Sequence, residues 1–69
     1  MNLFIRVKIV DPNTDLYVNV DKIDYYHSID NEFDCSTIMS VNGHEFKCKS
    51  SVDEIKERIM LAEIADNLA

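Results

Sequence analysis

The stretch Thr37-Ile-Met-Ser-Val-Asn-Gly-His-Glu-Phe-Lys-Cys-Lys-Ser-Ser-Val-Asp-Glu-Ile55 holds a turn dipeptide, two alternating flanks and a helix-start signal. Asn42-Gly43 between alternating runs is the strongest short-range hairpin signal, because a two-residue type I′ turn needs positive φ at both central positions. Positions 35–41 and 44–50 are expected to pair. A two-residue loop then places Val41 opposite His44, Met39 opposite Phe46 and Thr37 opposite Cys48. One face collects Val41, Met39, Thr37, Cys35, Phe46 and Cys48; the other carries Ser36, Ser40, Glu45, Lys47 and Lys49 around a lone Ile38. Downstream, Ser51-Val-Asp-Glu54 has the spacing of a capping box, so a helix begins there. Val52, Ile55, Ile59 and Ala62 recur at steps of 3, 4 and 3, an apolar stripe suited to lie on the sheet.

Working outward, Leu3, Ile5, Val7 and Ile9 alternate with Phe4, Arg6, Lys8 and Val10, which reads as a half-buried strand over 3–10. Asp11-Pro-Asn-Thr-Asp15 is a turn. Strands are expected at 16–20 and about 22–29. The fold class is α+β: an antiparallel sheet of four to five strands, either open or curled into a barrel-like form, with one C-terminal helix packed on it. The 69 residues form a single domain, 1–69. A chain this short buries roughly 60% of the surface exposed on unfolding, so its own stability is modest and a deep cleft is not expected.

With 46% hydrophobic and 29% charged residues the composition is that of a folded domain. Arg6 and Lys8 interrupt the first apolar run, and no stretch has the length of a membrane span, so a soluble cytoplasmic protein without membrane contact is expected. The net charge of −6 is concentrated between Asp11 and Asp34, where seven acids face one base, Lys22. A phosphate backbone demands clustered Lys and Arg, so direct binding of nucleic acid is not expected.

Catalytic and metal patterns fail on spacing. His27, Cys35, His44 and Cys48 would form a Cys2His2 set, but four residues of strand separate His44 from Cys48 by about 13 Å, whereas zinc ligands must converge. Asp11-x-Asn13-x-Asp15 begins like an EF-hand loop, then has Leu16 where that loop needs Gly and Lys22 where it needs Glu. One Gly leaves no phosphate-binding loop. No enzyme activity, metal or cofactor is expected, and Cys35 and Cys48 read as reduced, buried thiols.

The segments Tyr17-Val-Asn-Val-Asp-Lys-Ile-Asp-Tyr25, Thr37-Ile-Met-Ser-Val-Asn-Gly43 and Phe46-Lys-Cys-Lys-Ser-Ser-Val-Asp-Glu-Ile55 resemble the small FlbD-type flagellar and swarming-motility proteins over residues 16–59. An Asn-containing strand entry, a Thr-x-Ile strand, an Asn-Gly turn and a Ser-x-Glu-Ile helix start carry the resemblance. The chain departs from that pattern in the acidic segment 30–34, the Asp-Pro turn and the extension past Ile59. The resemblance implies a non-catalytic accessory protein that works through protein contacts.

The function expected from the residues is a small acidic interaction module, a phage- or mobile-element-encoded inhibitor or adaptor that binds a basic surface of a host protein in the host cytoplasm. In its sharper version the carboxylates mimic nucleic acid. Asp30, Glu32 and Asp34 around Phe33 are the expected partner-binding residues, with Asp21 and Asp24 as neighbours. A second helical stripe, Leu61, Ile64, Ala65 and Leu68, lies opposite the first and is expected to form a homodimer interface. The alternatives are a small-molecule-binding oligomer with Tyr25, Tyr26 and His27 as lining, and a FlbD-like motility accessory protein.

Overall fold

A computed structural model describes residues 3–32 and 35–68, with residues 31 and 32 described through their backbone alone. Five strands precede one helix: β1 (Phe4–Ile9), β2 (Thr14–Asn19), a 3-10 turn (Val20–Lys22), β3 (Ile23–Glu32), β4 (Cys35–Val41), β5 (His44–Cys48) and α1 (Val52–Leu68). The sheet is antiparallel in the order β2-β1-β5-β4-β3. It is the expected α+β arrangement.

The opening hairpin forms in the register set by its turn. Asn42 and Gly43 have φ of 52° and 86°, and Val41 pairs with His44, Met39 with Phe46 and Thr37 with Cys48. Only Gly adopts such a φ without steric cost, which is what the second turn position requires. The capping box also closes: the Glu54 N–H donates to Ser51 Oγ and the Ser51 N–H to a Glu54 carboxylate oxygen, both at 3.1 Å.

Several boundaries differ from the sequence reading: β1 is one residue shorter at each end than 3–10, and β5 stops at Cys48 where pairing was expected to reach residue 50. Strand β2 starts two residues earlier, at Thr14, and β3 runs on to Glu32. The reason for the second is that β3 carries two register shifts, between Ile23 and Tyr25 and between Ser28 and Glu32. Extra residues in a bulge break the period-2 pattern that marks a strand in sequence.

Sheet order forces curvature. Edge strands β2 and β3 would stand about 19 Å apart in a flat five-stranded sheet, at four spacings of about 4.8 Å. Yet only Val20, Asp21 and Lys22 join them, in a 3-10 turn that advances about 2 Å per residue. The sheet therefore curls until its two edges approach, and the turn is tied down on both sides. The Val20 N–H donates to the Leu3 carbonyl at 2.8 Å, and the Asn42 N–H to the Lys22 carbonyl at 2.9 Å. The β2 and β3 ladders do not join, so the barrel remains open.

The concave side holds the core. Ile5, Val7 and Ile9 of β1, Val18 of β2, Met39 of β4 and Cys48 of β5 surround Ile55 of α1, all buried, with Ile59, Ala62, Tyr26 and Phe46 packed around them. Ile55, Ile59 and Ala62 of the expected stripe thus supply the inner face of the helix, with Val52 half-buried at its start.

β1 and β5 share one registered pair, Ile9 with Cys48, extended by Val10 N–H to the Lys47 carbonyl and Lys49 N–H to the Lys8 carbonyl. Below Lys8 the strands diverge. Arg58 fills the fork, its Nη1 donating to the Arg6 carbonyl at 2.8 Å and to Ser50 Oγ at 3.0 Å, while Nη2 lies 3.6 Å from the Glu54 carboxylate. Ser50 is buried, and its carbonyl accepts from Thr37 Oγ1 at 2.8 Å.

Arg58→Ala removes the donor that satisfies a β1 carbonyl on its open side, and charged hydrogen bonds of this kind contribute about 1.5–3 kcal/mol. The variant is expected to lose about 2 kcal/mol by chemical denaturation, roughly 8–16 °C in Tm for a domain of this size. Arg58→Lys, whose ammonium is a more strongly hydrated point charge that cannot also reach Glu54 through a second nitrogen, is expected to recover only part of it. A melt of Arg58→Ala indistinguishable from wild type would contradict the role given to this side chain.

Candidate functional site

The acidic residues singled out in the sequence do not form one group. Asp30 is exposed and lies within the second β3 bulge; the Glu32 backbone pairs with Cys35. Phe33, Asp34 and the Glu32 side chain lie outside the described residues. Asp21 is exposed in the 3-10 turn, where its N–H donates to Asn19 Oδ1 at 3.0 Å. Asp24 is the extra residue of the first bulge. Six strand steps, roughly 20 Å, separate Asp24 from Asp30, so Asp21 and Asp24 sit toward the opposite end of the β3–β4 hairpin from Asp30.

Asp24 also has a structural task. Its carboxylate accepts from the Gly43 N–H at 2.8 Å and from Ser40 Oγ at 2.9 Å. The Gly43 bond first, then Ser40, holds its carboxyl below the usual carboxylate range. The bulge turns this carboxylate toward the tip of the neighbouring hairpin and secures the Asn42-Gly43 turn. Ser40 is buried for the same reason, although alternation alone places it on the outer face.

The second helical stripe is where the sequence puts it. Leu61, Ile64, Ala65 and Leu68 are exposed, Leu68 at 82%, and Met60 joins them. Phe4, the first residue of β1, is exposed as well and lines the same groove between β1 and α1 as Leu61. Met60 and Phe4 escaped the sequence reading because Met60 starts the stripe one position before Leu61 and Phe4 belongs to a distant strand. The alternation of 3–10 already marked Phe4 as outward.

Tyr25, Tyr26 and His27 do not share a cavity. Tyr26 turns inward against the core, whereas Tyr25 and His27 lie on the convex face, their rings stacked at 6.1 Å with 19° between planes. The Tyr25 hydroxyl donates to the Glu45 carboxylate across β4, and that bond is the first cause of a phenol pKa above the ordinary value.

On the convex face the sequence reading missed a feature. Arg6 and Lys8 of β1 and Lys47 and Lys49 at β5 come to one side of the sheet through the β1–β5 contact, four of the seven Lys and Arg side chains of the chain. Local periodicity gives each residue's outward direction, but the adjacency of β1 and β5 is a long-range property that spacing does not encode.

The four residues weighed as a Cys2His2 set are dispersed in the structure. Cys35 and Cys48 are buried on the concave face, with Cys35 Sγ donating to the Thr37 carbonyl at 3.4 Å. His27 pairs with Ile38 on the convex face, and His44 is exposed beside the turn. Among the described residues no three His, Cys, Asp or Glu side chains converge as metal ligands, and no helix is long and apolar enough to cross a membrane.

Burial pushes the Cys48 thiol up to about 11, with the neighbouring Cys35 adding to the shift. As pH rises past 9, the ordinary value, the unfolded chain releases its proton while the folded thiol keeps its own. Stability present below pH 9 is therefore lost between pH 9 and 11. Denaturation curves across that window should show the loss in wild type and a smaller one in Cys48→Ala. A thiol reagent at pH 8 should label the native protein only as fast as it opens; immediate labelling of both cysteines would sink this assignment. Compared with protein families, curated proteins and solved structures, the chain matches none of them.

Proposed function

We propose that this chain is a small non-catalytic protein-interaction module that self-associates through the outer stripe of α1 and offers its acidic β3–β4 end to a basic surface on a partner protein. The observation that carries the proposal is the exposed run Met60, Leu61, Ile64 and Leu68, with Phe4 beside it. Contiguous apolar surface of this kind marks an interaction site on a soluble domain. Burial against a second copy adds core to a fold whose own core is small, and each Å² removed from water contributes about 25 cal/mol.

The partner surface follows from what the core and the stripe leave over. Asp30, with Glu32, Phe33 and Asp34 next to it in sequence, stands toward the end at which β3 passes into β4, away from the 3-10 turn. Carboxylates around an aromatic anchor give steering together with affinity. Asp24 is better assigned to the turn that it caps. In its finer form the proposal is an inhibitor or adaptor encoded by a phage or other mobile element, acting on a host protein; acidity and an Asn-, Asp-, Ile- and Lys-rich composition support it.

Light scattering tests the assembly. Wild type is expected at twice the chain mass and Leu61→Glu at the monomer mass, with unchanged far-ultraviolet dichroism. If both run as monomers, the stripe is not a self-association surface. Once a basic partner is in hand, replacing Asp30, Glu32 and Asp34 by their amides is expected to slow association most at low salt; an unchanged rate removes the segment from the interface.

A further inference from the structure

The cationic group on the convex face lies across the weakest joint of the sheet. Lys8 and Lys49 flank the Ile9–Cys48 pair and face one another across the seam, linked by the Lys49 N–H to Lys8 carbonyl bond at 2.8 Å, while the Lys8 N–H turns to Ser50 Oγ at 3.5 Å. Both side chains leave from the same face. Lys47 follows two residues away, opposite Val10, and Arg6 two residues away on β1. Like charges directly opposite in a sheet are destabilising, and here they load a seam with a single registered pair, Ile9 with Cys48. Among the described residues none of the four cationic side chains has a carboxylate within 4 Å or a side-chain hydrogen bond, although the Lys8 charge is near enough to Glu54 to add to the Ser51 N–H bond that chiefly holds that carboxyl below its usual range.

Beside this pair the β1–β2 turn forms an open cavity of about 510 Å³, lined by Lys8, Lys49, Asn13, Thr14 and Asp15. Its size suits a ligand of nucleotide dimensions. Asp15, opposite Lys8 on β2, is the one carboxylate in that lining.

We propose that the β1–β5 seam is a binding site for a phosphoryl group, seated between the Lys8 and Lys49 ammonium groups, with Asn13 and Thr14 as neutral donors. A multiply charged anion is the chemistry that two adjacent ammonium groups recognise, since each supplies a point charge and three donors. Lys47 and Arg6 extend the positive field along the seam for further phosphates, and Asp15 is placed to accept from a hydroxyl of the same ligand. Occupancy turns repulsion across the seam into attraction, so binding is linked to folding stability.

The test is thermal unfolding at low salt with sodium tripolyphosphate, ATP or a single-stranded oligonucleotide, each against sodium chloride of matched ionic strength. Wild type is expected to gain several degrees beyond the chloride control in at least one arm. The double variant Lys8→Gln/Lys49→Gln is expected to melt at or above wild type without ligand and to gain nothing with it. Lys56→Gln, exposed on the helix, should keep the wild-type response. A response to tripolyphosphate or ATP but not to the oligonucleotide assigns the phosphoryl group to a small ligand. A stronger response to the oligonucleotide that falls steeply with salt assigns it to a nucleic-acid backbone. The proposal is overturned if no arm exceeds chloride, if the double variant responds like wild type, or if Lys56→Gln loses the response equally.

Discussion

Arg58 holds together two pieces that backbone pairing alone joins weakly. The β1–β2 hairpin and the β3-β4-β5 meander meet at one registered pair, and below it the carbonyls of β1 face an opening. A guanidinium is suited to such a place because one nitrogen can donate to the Arg6 carbonyl and to Ser50 while the other faces Glu54. By donating to Arg6 of β1 and to Ser50 of the β5–α1 connection, it fixes the helix relative to both pieces. Ser50 passes the restraint on to Thr37 of β4. The position of Ile55 in the core, and so the division of α1 into an inner and an outer stripe, depends on that arrangement.

A second tie sits at the other end. The 3-10 turn is fastened to the start of β1 by Val20 and to the β4–β5 turn by Lys22, while Asp24 grips that turn from the side. The two ties act on different pairs of elements, one on β1 and α1, the other on the strand edges and the hairpin tip. Between them the curled sheet encloses a core of aliphatic side chains, Met39 and Cys48 without any disulfide.

What the sequence made legible was local. The Asn-Gly turn carried the hairpin register, the Ser-x-x-Glu spacing carried the helix start, and the 3-4-3 recurrence carried the inner helical stripe; each is a relation among residues a few positions apart. The β1–β5 contact, the curl imposed by a three-residue link between sheet edges and the reach of Arg58 to Arg6 are relations across forty or more positions or across the whole sheet, and no periodicity records them. The candidate site divides in the same way. Leu61, Ile64, Ala65 and Leu68 were readable because a helix face is periodic. Grouping Asp21 and Asp24 with Asp30 followed nearness in sequence, whereas an extended strand carries such residues far apart. The cluster of Arg6, Lys8, Lys47 and Lys49 was hidden in a chain whose total charge is negative, because summed charge says nothing about which side each charge faces.

The two bulges of β3 have a consequence for how copies of this chain behave in a crowded solution. An outermost strand with an even row of free N–H and C=O groups is a template on which further strands add, the start of aggregation. β3 offers no even row, since its register shifts near Asp24 and again between Ser28 and Glu32. β2, the opposite border, is curled toward it by the short 3-10 link and carries Asp15 on its outer side. The sheet borders thus resist uncontrolled strand addition, although the outer stripe of α1 leaves apolar side chains exposed.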